Sequence, residues 1–324
     1  MRRWGPLRTL VDAVTFWPHI HVPTGNAIWD PTPLHDAHTG RTFVFFNGPG
    51  RGPGRGLSGA LGSTWLMHSD DAGRTWSAPA NVSGSCQHAG DVLGVPLNGA
   101  TPCGGHGIQL SSASGRLVVP FYGGSPSGAY LCYSDDHGAK WQPAARSYGN
   151  LTWDEVEVAE LLPATEPPTL YMTIRYAHSH SLNTSYRRYS ISRDAGLTWS
   201  DPPVPMRCGA GDCPDPCVKG SIVTWPGRNG SLIFSNSASS EHSVRVNQTV
   251  HISLDGGANF AHSLLLSSLS GYTTLQVSGD GLVANLFERM PLVDHHHQCE
   301  LTLAKVDPRA ILREPPGPLG ASGL

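Results

Sequence analysis

Four stretches of this chain repeat one pattern, and that repeat limits the possible folds more than any other feature. The first copy holds Ser69, Asp71, Gly73, Thr75 and Trp76; the second holds Ser134, Asp136, Gly138, Lys140 and Trp141. The third holds Ser192, Asp194, Gly196, Thr198 and Trp199; the fourth holds Ser253, Asp255, Gly257, Asn259 and Phe260. The chemistry is that of a hairpin turn. Ser and Asp side chains bond the turn amides, Gly supplies a positive φ, and the aromatic returns to pack on the strand. A calcium reading of Asp71, Asp136, Asp194 and Asp255 fails, because the alternate acidic positions and closing Glu of an EF-hand loop are missing. The four turns are therefore expected to be structural.

The aromatics are separated by 65, 58 and 61 residues. About 60 residues suffice for one four-stranded antiparallel sheet with generous loops. Such a sheet cannot bury both faces alone, so several must pack around an axis. Composition agrees: Gly 38 and Pro 27 with only 15% charged residues speak against coiled coils and helical bundles. A hydrophobic share of 39%, with nine Trp, nine Tyr and eight Phe, speaks against disorder. Trp4, followed by Gly5 and Pro6, resembles the end of a further turn whose Ser, Asp and Gly are absent. The expectation is all-β: a six-bladed β-propeller of four-stranded blades over residues 1–306, its first blade incomplete, with a disordered tail at 307–324.

A net charge of −3 gives no broad basic footprint for nucleic acid. No apolar run approaches the roughly 20 residues needed to span a bilayer, and Met1, Arg2 and Arg3 lead into Trp4 rather than into a leader's apolar stretch. The Cys residues at 86, 103, 132, 208, 213, 217 and 299 form no CxxC pair, which speaks against a zinc ribbon. The tight group Cys208, Cys213 and Cys217 leaves free thiols, a loop disulfide or a metal site open, with the first two favoured. His295, His296 and His297 are expected in a polar loop, since adjacent strand positions face opposite ways. Gly48 to Arg55 is a low-complexity loop. Sequons at Asn81, Asn150, Asn183, Asn229 and Asn247 favour a secretory or lysosomal route over a cytoplasmic one.

With the turns in place, the segments between them resemble the sialidase (neuraminidase) superfamily from Trp4 to about Val306. The turns are similar to that family's Asp boxes. Pro31 to Asp36 with Thr39 and Gly40 resembles its NPxPVxDxxTG segment, with Asp30 where Asn is common. Gly107 to Leu110 and Gly115 to Pro120 resemble its GIQL and GRLVVP stretches. The resemblance implies hydrolysis of terminal sialic acids from glycoproteins, glycolipids or oligosaccharides, with neither metal nor cofactor.

That chemistry constrains the residues. A sialoside carries a carboxylate beside its anomeric carbon, which repels a carboxylate nucleophile; a neutral Tyr avoids the repulsion. The Tyr needs a neighbouring carboxylate to take its proton, and Arg side chains must hold the substrate carboxylate. Trp153 to Leu161 resembles NExQVxEL, which places Glu155 as the base. Leu170 to Arg175 resembles LYMNxR, and Asn236 to Arg245 the SNP…R segment, so Arg175 and Arg245 become carboxylate-binding arginines. Gly271 to Leu275 resembles AYSxL, which makes Tyr272 the nucleophile, and Leu286 to Arg289 resembles LYERG, placing Glu288 beside the family's first arginine. The family's R-I-P segment with that arginine, and its acid/base Asp, have no counterpart here, and Asp12, Asp30 and Asp36 are not promoted to fill the gap. The reading is a retaining exo-α-sialidase by descent, possessing less than the full catalytic set. The alternative is a non-catalytic sialoglycan-binding propeller using Arg175, Arg245 and Tyr272; a third is a purely structural Asp-box propeller.

Overall fold

The structure, a computed structural model, describes residues 8–12, 28–48, 63–88, 101–112, 114–123, 128–145, 153–176, 186–200, 202–226, 228–290 and 299–313. Each blade is a meander in which sequence neighbours are sheet neighbours. Blade I comprises Trp29–His35, Thr42–Gly48, Ser63–Ser69 and Ala80–Asn81. Blade II has a split first strand, Thr101–Pro102 and Ile108–Gln109, followed by Leu117–Gly123, Gly128–Ser134 and Gln142–Pro143. Blade III is Trp153–Glu160, Leu170–Tyr176, Arg188–Ser192 and Val204–Pro205; blade IV is Ser221–Thr224, Leu232–Ser237, Val246–Ser253 and His262–Leu269. Blade V has three strands, Thr273–Val277, Val283–Arg289 and Glu300–Val306.

The described residues thus form five blades where six were expected, and the last lacks a fourth strand. The Trp4 segment, most of the Gly-rich loop, His295 to His297, and the sequons at Asn150 and Asn183 lie outside the described residues. The tail also differs from expectation at its start. Pro308–Arg313 is a helix, and Ile311 packs into the core between blades IV and V. A short apolar stretch at a sheet edge buries surface that composition alone had assigned to disorder.

The core lies between blades, because period-2 alternation sends successive side chains to opposite sheet faces. Leu117, Val119 and Phe121 meet Phe43 and Phe45 of blade I, whereas Val118 meets Val156 and Met172 of blade III. Tyr171 faces the other way, towards Phe234 and Phe260 of blade IV. A disulfide between Cys86 and Cys132 ties the connection after blade I to blade II.

The repeated turns seal these interfaces. In all four, the Ser hydroxyl donates to the Asp carboxylate at 2.8, 2.9, 2.7 and 2.6 Å. The Gly amide donates to the Ser oxygen at 2.8, 2.8, 2.8 and 2.9 Å. The amide of the penultimate residue donates to the same Asp at 2.8, 2.8, 2.9 and 3.0 Å. Gly138, Gly196 and Gly257 have φ of +83°, +85° and +88°, so glycine is required twice over. A Cβ there would also lie 2.3 Å from Phe43, Leu131 or Tyr171, each in the preceding blade.

Antiparallel pairing then fixes where function can gather. The start of the first strand, the end of the second and the start of the third share one end of the propeller. The turns follow the third strand and occupy the other.

Candidate functional site

Every residue assigned to the site from the sequence maps to that first end. Glu155 is near the start of Trp153–Glu160, Arg175 near the end of Leu170–Tyr176, and Arg245 immediately before Val246–Ser253. Tyr272 immediately precedes Thr273–Val277, and Glu288 is next to last in Val283–Arg289. First strands of blades III, IV and V pack side by side around the axis, which brings residues far apart in sequence into contact.

The Tyr272 hydroxyl donates to Glu155 Oε1 at 2.6 Å. Arg175 Nη1 donates to the same hydroxyl at 2.9 Å and also pairs with Glu155 Oε2. Arg175 Nε is 3.3 Å from Asp154 Oδ2 and 3.4 Å from Cys217 Sγ. Arg245 stands over the Tyr272 ring with Cζ 5.2 Å from its centroid, and its Nη1 is 3.7 Å from Met290 Sδ. No carboxylate pairs with Arg245 among the described residues. Glu288 supports the backbone of Tyr272: its Oε2 accepts the Tyr272 amide at 2.9 Å, and its own amide donates to Tyr272 O at 2.9 Å.

Burial organises the electrostatics. Desolvation and the negative charge of Glu155 push the Tyr272 phenol above its ordinary value, partly offset by Arg175. The phenol therefore stays neutral until a base takes its proton. Burial alone would disfavour the charge on Arg175; Glu155 and Asp154 outweigh it and hold the guanidinium firmly protonated.

Glu155 and Glu157 are both buried rather than set on a solvated face of the strand. Glu157 accepts from Lys219 Nζ at 3.1 Å and lies 2.6 Å from His106 Nδ1. Burial opposes its charge, but Lys219 and His106 win and hold it at about 2. Lys219 and His106 were not read as site neighbours from sequence; a buried Lys with a Glu in the strand opposite is the pattern that could have flagged them.

Asp30 is the other residue that sequence reasoning set aside. It occupies a register shift in Trp29–His35 with φ of +54°, a left-handed conformation for a non-glycine residue. Burial first, then Glu155, raise its carboxyl to about 7. Asp36, by contrast, is fully buried in turn chemistry, accepting from Thr39, the His38 amide and Gln109. A cavity of about 590 Å³ opens at the opposite end, lined by His35, Gln109, Glu160, Thr224 and Gln276 among others; His106 reaches its wall, but Glu155, Arg175, Arg245, Tyr272 and Glu288 do not.

Sealed Ser–Asp–Gly turns on a ring of antiparallel meanders, with a Tyr–Glu–Arg cluster at the end away from the turns, define an Asp-box propeller. The BNR repeat-like domain profile matches residues 1–284, and the chain belongs to that family, within the sialidase superfamily. It is 28% identical over 290 residues to a sialidase of Bacteroides fragilis, covering 82% of this chain and 48% of that protein. It is 27% identical to sialidase-2 of Cricetulus griseus, covering 79% of this chain and 69% of the relative. Among solved structures, the Hadza microbial sialidase Hz136 superposes with a TM-score of 0.74 at 25% identity, over 95% of this chain and 57% of that one. The chain spans about half the length of several curated relatives it matches.

Proposed function

We propose that the protein is an exo-α-sialidase that cleaves terminal sialic acids from glycoconjugates with retention, through Tyr272 as nucleophile. The observation that carries this is the 2.6 Å hydrogen bond from the Tyr272 hydroxyl to buried Glu155. A phenol held neutral by burial suits a substrate that brings its own carboxylate, because no charge repulsion opposes approach. As the oxygen attacks the anomeric carbon, its proton passes to Glu155 and the Arg175 contact stabilises the developing phenolate charge. Arg245, with no carboxylate partner among the described residues, is the cation free to receive the substrate carboxylate. Water then displaces the phenol from the covalent intermediate, and two inversions give retention.

Leaving-group departure needs a proton donor. This reading assigns that role to no residue of the chain, Asp30 included.

The test is release of a fluorescent aglycone from an α-ketoside of sialic acid, with proton NMR of the first anomer freed. Release of the α-anomer, lost on Glu155→Gln, supports the reading; the β-anomer overturns the Tyr nucleophile. Glycan binding without release supports a lectin-like propeller instead.

A further inference from the structure

At the interface of blades III and IV, the hairpin pairing Arg207–Cys208 with Gly211–Asp212 is closed by a disulfide from Cys208 to Cys213. His251, on Val246–Ser253, lies against it: the two sulfurs and one ring nitrogen are all within 4.8 Å of one another. Cys213 is fully buried and His251 is only 5% exposed, while Cys208 is partly open to solvent. The imidazole is oriented by a relay. Asn236 Nδ2 donates to Pro214 O at 2.7 Å, which turns Asn236 Oδ1 towards His251 Nε2 at 3.2 Å. Nε2 therefore carries the proton and donates it, leaving the lone pair on Nδ1. That buried Nδ1 has no hydrogen-bond partner among the described residues. An imidazole whose other nitrogen donates to an amide oxygen is the form in which proteins present histidine to a metal.

We propose that reduction of the Cys208–Cys213 disulfide turns this corner into a zinc site, with two thiolates and His251 Nδ1 as protein ligands and water as the fourth. The steps balance with a dithiol as reductant. It supplies two electrons and two protons, the S–S bond breaks, two S–H bonds form, and the dithiol closes to its own disulfide. Zn²⁺ then displaces both thiol protons to the buffer as two Zn–S bonds form. The cation is neutralised by two thiolates, so no net charge is buried. Tetrahedral zinc with Zn–S near 2.3 Å and Zn–N near 2.0 Å holds its ligand atoms roughly 3.5–4 Å apart, within reach of the present spread after the S–S bond opens. The segment after Cys213 carries Asp215, which pairs with buried Arg187 at 2.9 Å, and Cys217, which meets Arg175. Disulfide and metal are thus alternative closures for the root of one active-end loop.

The experiment uses the whole chain and Co²⁺ as a coloured stand-in for Zn²⁺. The protein is reduced with a dithiol, desalted under argon and titrated. The expected result is one Co²⁺ per chain with a thiolate-to-cobalt charge-transfer band and tetrahedral d–d bands, bleached by Zn²⁺. Unreduced protein should give none of this, and it also contains Cys103, Cys217 and Cys299, so it controls for the free thiols. The Cys208→Ser, Cys213→Ser double variant, reduced in the same way, should lose the bands, and His251→Gln should weaken Co²⁺ binding at least tenfold. Absence of the bands from reduced wild type overturns the proposal. So does their persistence in the double variant, because the metal would then sit on other thiols. If His251→Gln fails to fold, the first two comparisons decide.

Discussion

The two ends of this propeller are built on opposite plans. At the turn end, four copies of one motif close with the same bonds, each spanning two or four residues. At the other end nothing repeats: Tyr272 meets Glu155 across 117 residues and Arg175 across 97. The turn end is local and redundant, whereas the clustered end is long-range and single-copy. Damage to one should appear as lost stability, and damage to the other as lost chemistry.

The sharpest test of that division is Tyr272→Phe. On the proposed mechanism, deleting the hydroxyl removes the attacking group, so turnover of a fluorogenic sialoside should fall on the order of a thousandfold or more. The melting temperature should stay near wild type. A Phe variant that retains activity would show the clustered end to be as dispensable as any one turn.

Next come the turn aromatics, which are not equivalent. Trp141 is 8% exposed and meets Phe43 and Phe45 edge-on, so Trp141→Ala should cost about 3–5 kcal/mol in urea unfolding. Trp76 is only half-buried and donates to Gly73 O of its own turn, so Trp76→Ala should cost about 1–2 kcal/mol. Trp199 is likewise half-buried, against the core between blades II and III. Equal losses for Trp141 and Trp76, or altered glycan affinity in either variant, would break the comparison.

A smaller effect is expected from Ser134→Ala. Ser134 is buried, accepts the Gly138 amide and donates to Asp136. Its loss should cost about 1–3 kcal/mol by leaving the amide unpaired, with glycan binding unchanged by calorimetry.

The last test is one of pH. The Asp30 carboxyl is raised from 3.8 to about 7 in the folded chain. Between about 4 and about 7 the native state holds a proton that the unfolded chain has released, so stability falls as pH rises through that window. Asp30→Asn removes the dependence. Its melting temperature relative to wild type should therefore rise from pH 4 to pH 7.5; a constant difference would place Asp30 in a more solvated setting.

The same contrast explains what could be read from sequence. Serine, aspartate, glycine and aromatic at fixed offsets specify their own turn, so the four boxes and the antiparallel meanders were legible without any partner. What each turn glycine does for the neighbouring blade was not, because Gly138 gives no sign in sequence that Phe43 lies against it. That Glu155, Arg175, Arg245, Tyr272 and Glu288 gather at one end was expected only by resemblance, since no local rule distinguishes an axial Tyr from any strand Tyr. The setting of Asp30 was not legible, because it depends on a left-handed residue at a register shift. The pairing of Cys86 with Cys132 likewise depends on how two blades dock.

Glu155 and Arg175 lie only 20 residues apart and pair directly on adjoining strands. On a ribosome, that hairpin emerges and closes well before Tyr272 is translated. This carboxylate and guanidinium can neutralise each other as the nascent chain lengthens, so neither must wait as a bare buried ion for its distant partner. When the fifth blade docks, Tyr272 joins a couple already formed. The cluster therefore forms only once blade V has been made, and earlier intermediates carry an incomplete version of it.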